Sequence, residues 1–396
     1  MHVVFHKESL TKAMRDAMRF VPNTTTHLYQ KFVLMKADSA NDRVELFAVN
    51  PDGGIRLILP DRGFGDSPAV IEQAGQCALD GRTLWEIVRK LPGDTVSFRT
   101  LGTVTTIKAG KATYDLHGMS PETFVPWATE NGGTTLQIHA RDLLRMLDRT
   151  IYAAAKSDAR PTLTGVHITV TGDHLAMEAT DGFRLSRVDH SVSVDEGQAV
   201  DVIVPSDSLS RLAALLPNDD DEEVELQLGR TSLSATWSDK DMQVNLRGLE
   251  GRYPDTTRII PTTFTQEFQI PRQAWLEACD RVLTICGRLD SSVAQFTFGS
   301  DRLDLTAKSP DIGHVTDQVE GVTGNSGAIL LSFNVRYVMD ALRSVSSDHV
   351  FVGLTGVQSA AVVRADGDSV LSLILPMRQV QEIGMPDQNG LTPSPI

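Results

Sequence analysis

Cysteine is scarce: Cys77, Cys279 and Cys286 are the only three in 396 residues, and none shows the C-x-x-C spacing of a zinc site or redox pair. An odd number without paired spacing argues against a disulfide framework and fits a reducing compartment. Cys279 and Cys286 stand seven apart on one expected helix, where small buried side chains are the simplest role. No run approaches the roughly 18 apolar residues of a membrane span. The opening Met1-His2-Val3-Val4-Phe5-His6-Lys7 has no apolar stretch of the signal-peptide kind. The expectation is a cytoplasmic protein with no membrane partner. Catalytic signatures are missing too: there is no glycine-rich phosphate loop, HExxH or GxSxG, and the ten histidines are scattered. The acidic run 219–223 follows a helix end and precedes an alternating strand, so it reads as a solvated connector. Neither catalysis nor a cofactor nor a metal is expected. Basic residues are the minority charge, 37 against 51, for a net charge of −14. That figure alone makes nucleic acid a poor partner.

What the chain does have is repetition. A short strand leading into an amphipathic helix opens each third: Val3-Val4-Phe5 into 10–21, Leu136-Gln137-Ile138 into 143–154, and Phe268-Gln269-Ile270 into 274–285. A second helix follows in each, at 83–91, 209–216 and 335–344, and then paired strands. Phe5, Ile138 and Ile270 are 133 and 132 residues apart; Leu116, Leu246 and Leu373 are 130 and 127 apart. Solenoid units run to about 20–50 residues, so a period this long is one domain fold used three times. Alternating strands with short turns predict antiparallel sheet with one face buried. The fold class is therefore α+β: three repeated domains, each with two helices packed on antiparallel sheet. Turn-formers place the boundaries at 1–130, 131–265 and 266–379, with a Pro/Gly-rich tail at 380–396 expected to be disordered.

Charge is uneven across these thirds. Residues 1–130 carry 15 basic and 15 acidic side chains, 131–265 carry 13 and 21, and the remainder 9 and 15. A neutral first third and an acidic last third suit head-to-tail contact between two copies. Basic residues also gather on helices. Lys12, Arg15 and Arg19 share one side of the first, Arg141, Arg145 and Arg149 one side of its counterpart, and Arg336 and Arg343 recur seven apart. Such faces track phosphates without reading bases; taken singly, each is also an ordinary solvated face. In the third repeat Arg272 and Arg281 fall out of phase.

Four segments are sharper. They are Arg160-Pro-Thr-Leu-Thr-Gly-Val166, Glu178-Ala-Thr-Asp-Gly-Phe-Arg-Leu-Ser186, Gly251-Arg-Tyr-Pro-Asp-Thr-Thr-Arg-Ile-Ile-Pro261, and Leu373-Ile-Leu-Pro-Met-Arg378, the last preceded by Phe333-Asn-Val-Arg-Tyr337. Separately they are a hairpin turn and proline-bounded linkers. In this order, across a threefold repeat, the chain resembles the bacterial DNA polymerase III β sliding clamp over roughly residues 1–379.

That resemblance implies a head-to-tail homodimeric ring around double-stranded DNA, bound without sequence preference, with the helices lining the hole. The channel set would be Lys12, Arg15, Arg19, Arg141, Arg145, Arg149, Lys156 and Arg160. It also implies a pocket between the second and third domains for short peptides from the DNA polymerase and the clamp loader. Its residues, position by position, would be Leu163, Thr180, Gly182, Phe183, Arg184 and Leu185, with Pro254, Arg258 and Ile259 from the linker. The third domain would add Asn334, Tyr337, Val357, Ser359, Leu373, Ile374, Leu375, Pro376, Met377 and Arg378. In chemical terms this is an apolar slot with Met as an adaptable wall and Arg184 and Arg378 as anchors. Phe183 stands where the family usually has His, and the chain runs 18 residues past the Leu-Pro-Met-Arg ending. A specialised second copy of the clamp is one alternative; an unrecognised enzyme on a repeated scaffold is the other.

Overall fold

The computed structural model of the chain describes residues 1–61, 67–127, 133–157, 159–196, 199–237, 241–287, 292–325 and 327–377. Arg378 and the tail 380–396 lie outside them. Two compact units part between Asp255 and Thr256, ahead of the Pro261-Thr262-Thr263 turn. The first unit holds two copies of one topology and the second holds one.

Each copy starts with a strand that runs directly into a helix. His2–His6 leads into α1 (Lys7–Ala17), Thr134–His139 into α3 (Ala140–Thr150), and Gln266–Pro271 into α5 (Arg272–Cys286). The second helices are α2 (Gly81–Val88), α4 (Ser206–Ala213) and α6 (Val335–Ser344). The first helices begin three, three and two residues earlier than the apolar periodicity suggests, and none has a side-chain cap. A backbone bond replaces it. The first helical N–H donates to a carbonyl just ahead of a neighbouring strand: Lys7 to Asp94, Ala140 to Glu222, Arg272 to Asp348, each at 2.8 Å. One orphan donor per helix is thereby satisfied by tertiary structure. By contrast α2 and α6 carry ordinary side-chain caps, Asp80 accepting from the Thr83 N–H at 2.8 Å and Asn334 from the Arg336 N–H at 2.9 Å.

In the first unit, strands Ala69–Gln73, His2–His6, Thr95–Leu101, Val104–Ala109 and Ala112–His117 form one antiparallel sheet in that order. A second sheet spans both copies. It runs from Ser193–Glu196 through Thr134–His139, Glu223–Leu228, Ser232–Trp237 and Met242–Arg247. It then crosses to Gly53–Pro60 and continues through Arg43–Asn50 and Phe32–Asp38 to Gly75–Asp80. At the crossing Met242 faces Leu57 and Leu246 faces Gly53. A Cβ on Gly53 would lie 2.4 Å from the Asn245 carbonyl oxygen, so only glycine allows that approach. Val200–Pro205, Gly165–Thr171, His174–Thr180 and Arg184–Ser191 lie side by side in the same unit.

The second unit repeats the plan. Thr323–Gly324, Gln266–Pro271, His349–Leu354, Ala361–Arg364 and Val370–Ile374 form one run, and Gly313–Glu320, Arg302–Ser309, Val293–Phe298 and Ile329–Asn334 the other. In all three copies the chain leaving the last long strand donates a backbone N–H to the same place. Met119 donates to Ala78 at 3.1 Å, Leu249 to Ile203 at 2.7 Å and Met377 to Ser332 at 2.7 Å.

Helices bury one stripe against these sheets. On α1 it is Leu10, Ala13, Met14 and Ala17; on α3, Leu143, Met146, Leu147 and Thr150. On α5, Trp275, Ala278, Cys279, Val282 and Cys286 are buried, and Trp275 meets Phe298 edge-on with ring centroids 6.2 Å apart. All three cysteines are free and buried, and burial pushes the Cys77 thiol up to about 11. Among the described residues no helix is long and apolar enough to cross a membrane.

Candidate functional site

The Asp181-Gly182 turn is built from its own side chains. Asp181 Oδ1 accepts from the Phe183 N–H at 2.8 Å and the Arg184 N–H at 3.1 Å, which is how an Asp holds a tight turn. Thr180 Oγ1 accepts from the Gly182 N–H at 3.0 Å and donates to the Arg184 carbonyl. Gly182 adopts φ +90°, a left-handed conformation that a side chain would strain. The result holds Phe183 outward, 56% exposed, between a buried Thr180 and a buried Arg184.

Arg184 is committed to the fold. Its Nε donates to Asp181 Oδ2 at 3.0 Å, its Nη2 donates to the Tyr152 carbonyl, and the guanidinium lies 5.3 Å from the centre of the Tyr152 ring. Leu163 and Leu185 are buried beneath, in the first unit, and Pro254 is exposed. Two contributors were not legible as site residues. Asp181 was, in the sequence, only half of a turn dipeptide. Tyr253, next to Pro254, accepts the Thr180 N–H on its hydroxyl at 2.9 Å.

In the second unit the expected residues divide the same way. Leu373 and Ile374 are buried floor, whereas Ile259, Val357 and Leu375 are exposed and Arg258 with them. Asn334 is spent capping α6. Tyr337, Ser359, Pro376 and Met377 are partly exposed, and the Met377 backbone is pinned by its bond to Ser332. Ten large apolar side chains are exposed among the described residues, and four of them are Phe183, Ile259, Val357 and Leu375. Phe183 belongs to the first unit and the other three to the second.

Lys12 and Arg15 are exposed on α1, and Arg19 is exposed on the 3-10 turn Met18–Phe20 that follows it, so the helix expected over 10–21 ends at Ala17. Lys12 and Arg15 line a cleft of about 570 Å³ together with Lys7, Arg89, Glu8 and Asp94, a set richer in positive charge than the protein as a whole. Among these cations sits a nearly buried carboxyl: burial pushes the Asp16 pKa up, against the pull of Arg15, Arg19 and Lys12. On α3 the basic stripe is partly neutralised. Arg141 pairs with Asp220 and Arg145 lies 3.4 Å from Asp142. The run 219–223 is thus more than a solvated connector, because Asp220 takes one of the expected channel cations. Lys156 is exposed, and Arg160 lies beside the Gly182 turn rather than on a helix. In the third copy Arg281 makes two contacts with Asp317, at 2.5 and 3.2 Å, and Arg272 donates to the Ser347 carbonyl at 2.7 Å. Those two arginines serve the fold, which explains their phase.

A threefold α+β repeat, each copy with two helices packed on antiparallel sheet, is the architecture of a sliding clamp. Residues 1–126, 137–255 and 257–378 match, in turn, the N-terminal, central and C-terminal domains of the DNA polymerase III beta subunit. The chain belongs to that family. It is 28% identical to the beta sliding clamp of Staphylococcus epidermidis over 381 residues, covering 96% of this chain and 99% of the relative. The Staphylococcus aureus beta sliding clamp is 27% identical over the same span. Among solved structures, the Bacillus subtilis DNA polymerase sliding clamp superposes with a TM-score of 0.90 at 26% identity, over 96% of this chain and 99% of that one. The Pseudomonas aeruginosa DNA polymerase III subunit beta gives 0.87 at 25% identity, over 96% and 100%.

Proposed function

We propose that this chain works as a DNA sliding clamp in the cytoplasm, a non-catalytic ring that encircles duplex DNA and tethers the replicative polymerase. The observation that carries the reading is the pattern of sheet edges. Within the first unit, strand Met242–Arg247 of one copy pairs with Gly53–Pro60 of the other. The equivalent strands are Ala112–His117 in the first copy and Gly313–Glu320 in the third, and each stands at the end of its sheet. An unpaired edge is a template for another chain. Joining 112–117 of one chain to 313–320 of another, twice, closes a head-to-tail dimer of six copies without a third partner.

DNA held inside such a ring needs no sequence-specific contact. Exposed cations at Lys12, Arg15 and Arg19, with Arg145 and Lys156, supply a shallow attraction that salt screens. Replacing Lys12, Arg15 and Arg19 together by glutamine should reduce retention on all DNA sequences alike. The slope of log affinity against log salt should fall by about one per lost phosphate contact. Strong discrimination between DNA sequences by the wild-type protein would contradict the reading.

Short peptides of the polymerase and the clamp loader are the proposed ligands of the exposed apolar residues, Phe183 in the first unit and Ile259, Val357 and Leu375 in the second. A peptide with one hydrogen-bond acceptor followed by bulky apolar side chains suits them, because such contact covers exposed apolar surface without opening the core.

A further inference from the structure

The two copies in the first unit differ behind the surface that carries the docking turn. In the first copy Leu34 faces Phe47 on one neighbouring strand and Ala78 on the other, and Phe124 packs onto them in an apolar cluster. The same register in the second copy puts His167 opposite Glu178 and Ile203, with Tyr253 in the place of Phe124. An apolar plug has become a titratable one.

Its geometry is specific. His167 Nδ1 lies 2.9 Å from Glu178 Oε1 and Nε2 lies 2.9 Å from Asp201 Oδ1. Both ring nitrogens face carboxylate oxygens, and only the doubly protonated ring can donate to both. Arg187 approaches Glu178 at 3.6 Å and is itself bonded to Asp189. The Tyr253 ring stacks on His167 with centroids 4.6 Å apart and planes 20° from parallel. Its hydroxyl accepts the Thr180 N–H, and Thr180 Oγ1 holds Gly182 and Arg184. A continuous chain of contacts therefore links His167 to the turn that presents Phe183.

We infer that His167 is a positioning residue for peptide docking, its charged ring fixing Tyr253 and through it the Thr180–Arg184 turn. This rests on the docking reading above. Burial opposes the charge on His167, but the hydrogen bonds and charges of Glu178 and Asp201 outweigh it and raise its pKa above the ordinary value. Asp201 is exposed and its pull is screened, so the buried Glu178 carries more of the effect. For a raised pKa the stabilisation is complete below the free-histidine range, about 6.5, and is lost as pH rises through the folded value. Losing the proton costs one of the two ring–carboxylate hydrogen bonds and weakens the face-on contact with Tyr253.

The test uses the full-length protein and a fluorescent peptide in which one glutamine is followed by leucine and phenylalanine. Affinity should fall about fivefold between about pH 6 and pH 8.5, the lower end of ordinary coupling between sites. In His167→Leu, the residue that the first copy carries, the profile should be flat. The Thr180 amide resonance in the wild type should follow the titration of the His167 ring, and in Tyr253→Phe it should not. A Thr180 amide that ignores that titration, or equal pH profiles in wild type and His167→Leu, would overturn the inference. Absence of peptide binding at every pH would count against the docking reading alone, because the amide titration needs no peptide.

Discussion

A chain carrying Thr113→Pro is expected to sediment as a monomer at concentrations where the wild type is a dimer. Ala109 and Ala112 flank the two-residue turn Gly110-Lys111 and so exchange backbone hydrogen bonds. Alternation then points the N–H groups of Thr113 and Asp115 away from the sheet. Proline at 113 removes an outward donor and sets its ring against the approaching strand, while the ladder to Val104–Ala109 is spared. Losing one or two backbone bonds and the register they fix costs about 2–3 kcal/mol, or roughly 30- to 150-fold in dimer affinity. Sedimentation velocity, with circular dichroism to check the fold, decides it. A dimer of unchanged affinity would place the joint elsewhere.

The second large effect concerns docking. Val357→Asp and Phe183→Asp, made singly, should each weaken a polymerase-derived peptide by at least about tenfold, starting from near micromolar. Each removes one apolar contact worth about 1.5–3 kcal/mol and sets a charge against an apolar ligand. Val357 is 61% exposed and Phe183 is 56% exposed, so neither change should lower the melting temperature appreciably. Leu185 is a worse probe. It is 1% exposed, and truncation to alanine would cost about 2–5 kcal/mol of fold stability as well. Met377→Ala is intermediate, because its side chain is partly exposed on a pinned backbone. Unchanged affinity in Val357→Asp and Phe183→Asp, measured by fluorescence anisotropy, would move docking off these residues.

The repeat and its α+β class were legible because strand alternation and helix periodicity are local signals, and these recur at near-constant offsets. Helix starts were not. Lys7, Ala140 and Arg272 are capped by carbonyls contributed by Asp94, Glu222 and Asp348, distant in sequence, so no capping residue marks them. The basic stripe on α3 was visible from spacing, but Asp220, which pairs with Arg141 across 79 positions, was not. Motif matching found most of the residues around the docking turn without separating Phe183, which faces outward, from Arg184, which is bonded inward to Asp181 and Tyr152. Tyr253 carries no local signal, because its role depends on a hydroxyl reaching a backbone N–H 73 residues away.

Topology is the most direct readout of a ring closed around DNA. The protein should be loaded by its own clamp loader onto a nicked circular plasmid, separated from free protein, and then treated with a single-cutting nuclease. A clamp held by encirclement stays on the circle through a moderate-salt wash and runs off once the circle is cut. Retention that is equal on circular and linear DNA, or that salt alone abolishes on the circle, would contradict encirclement.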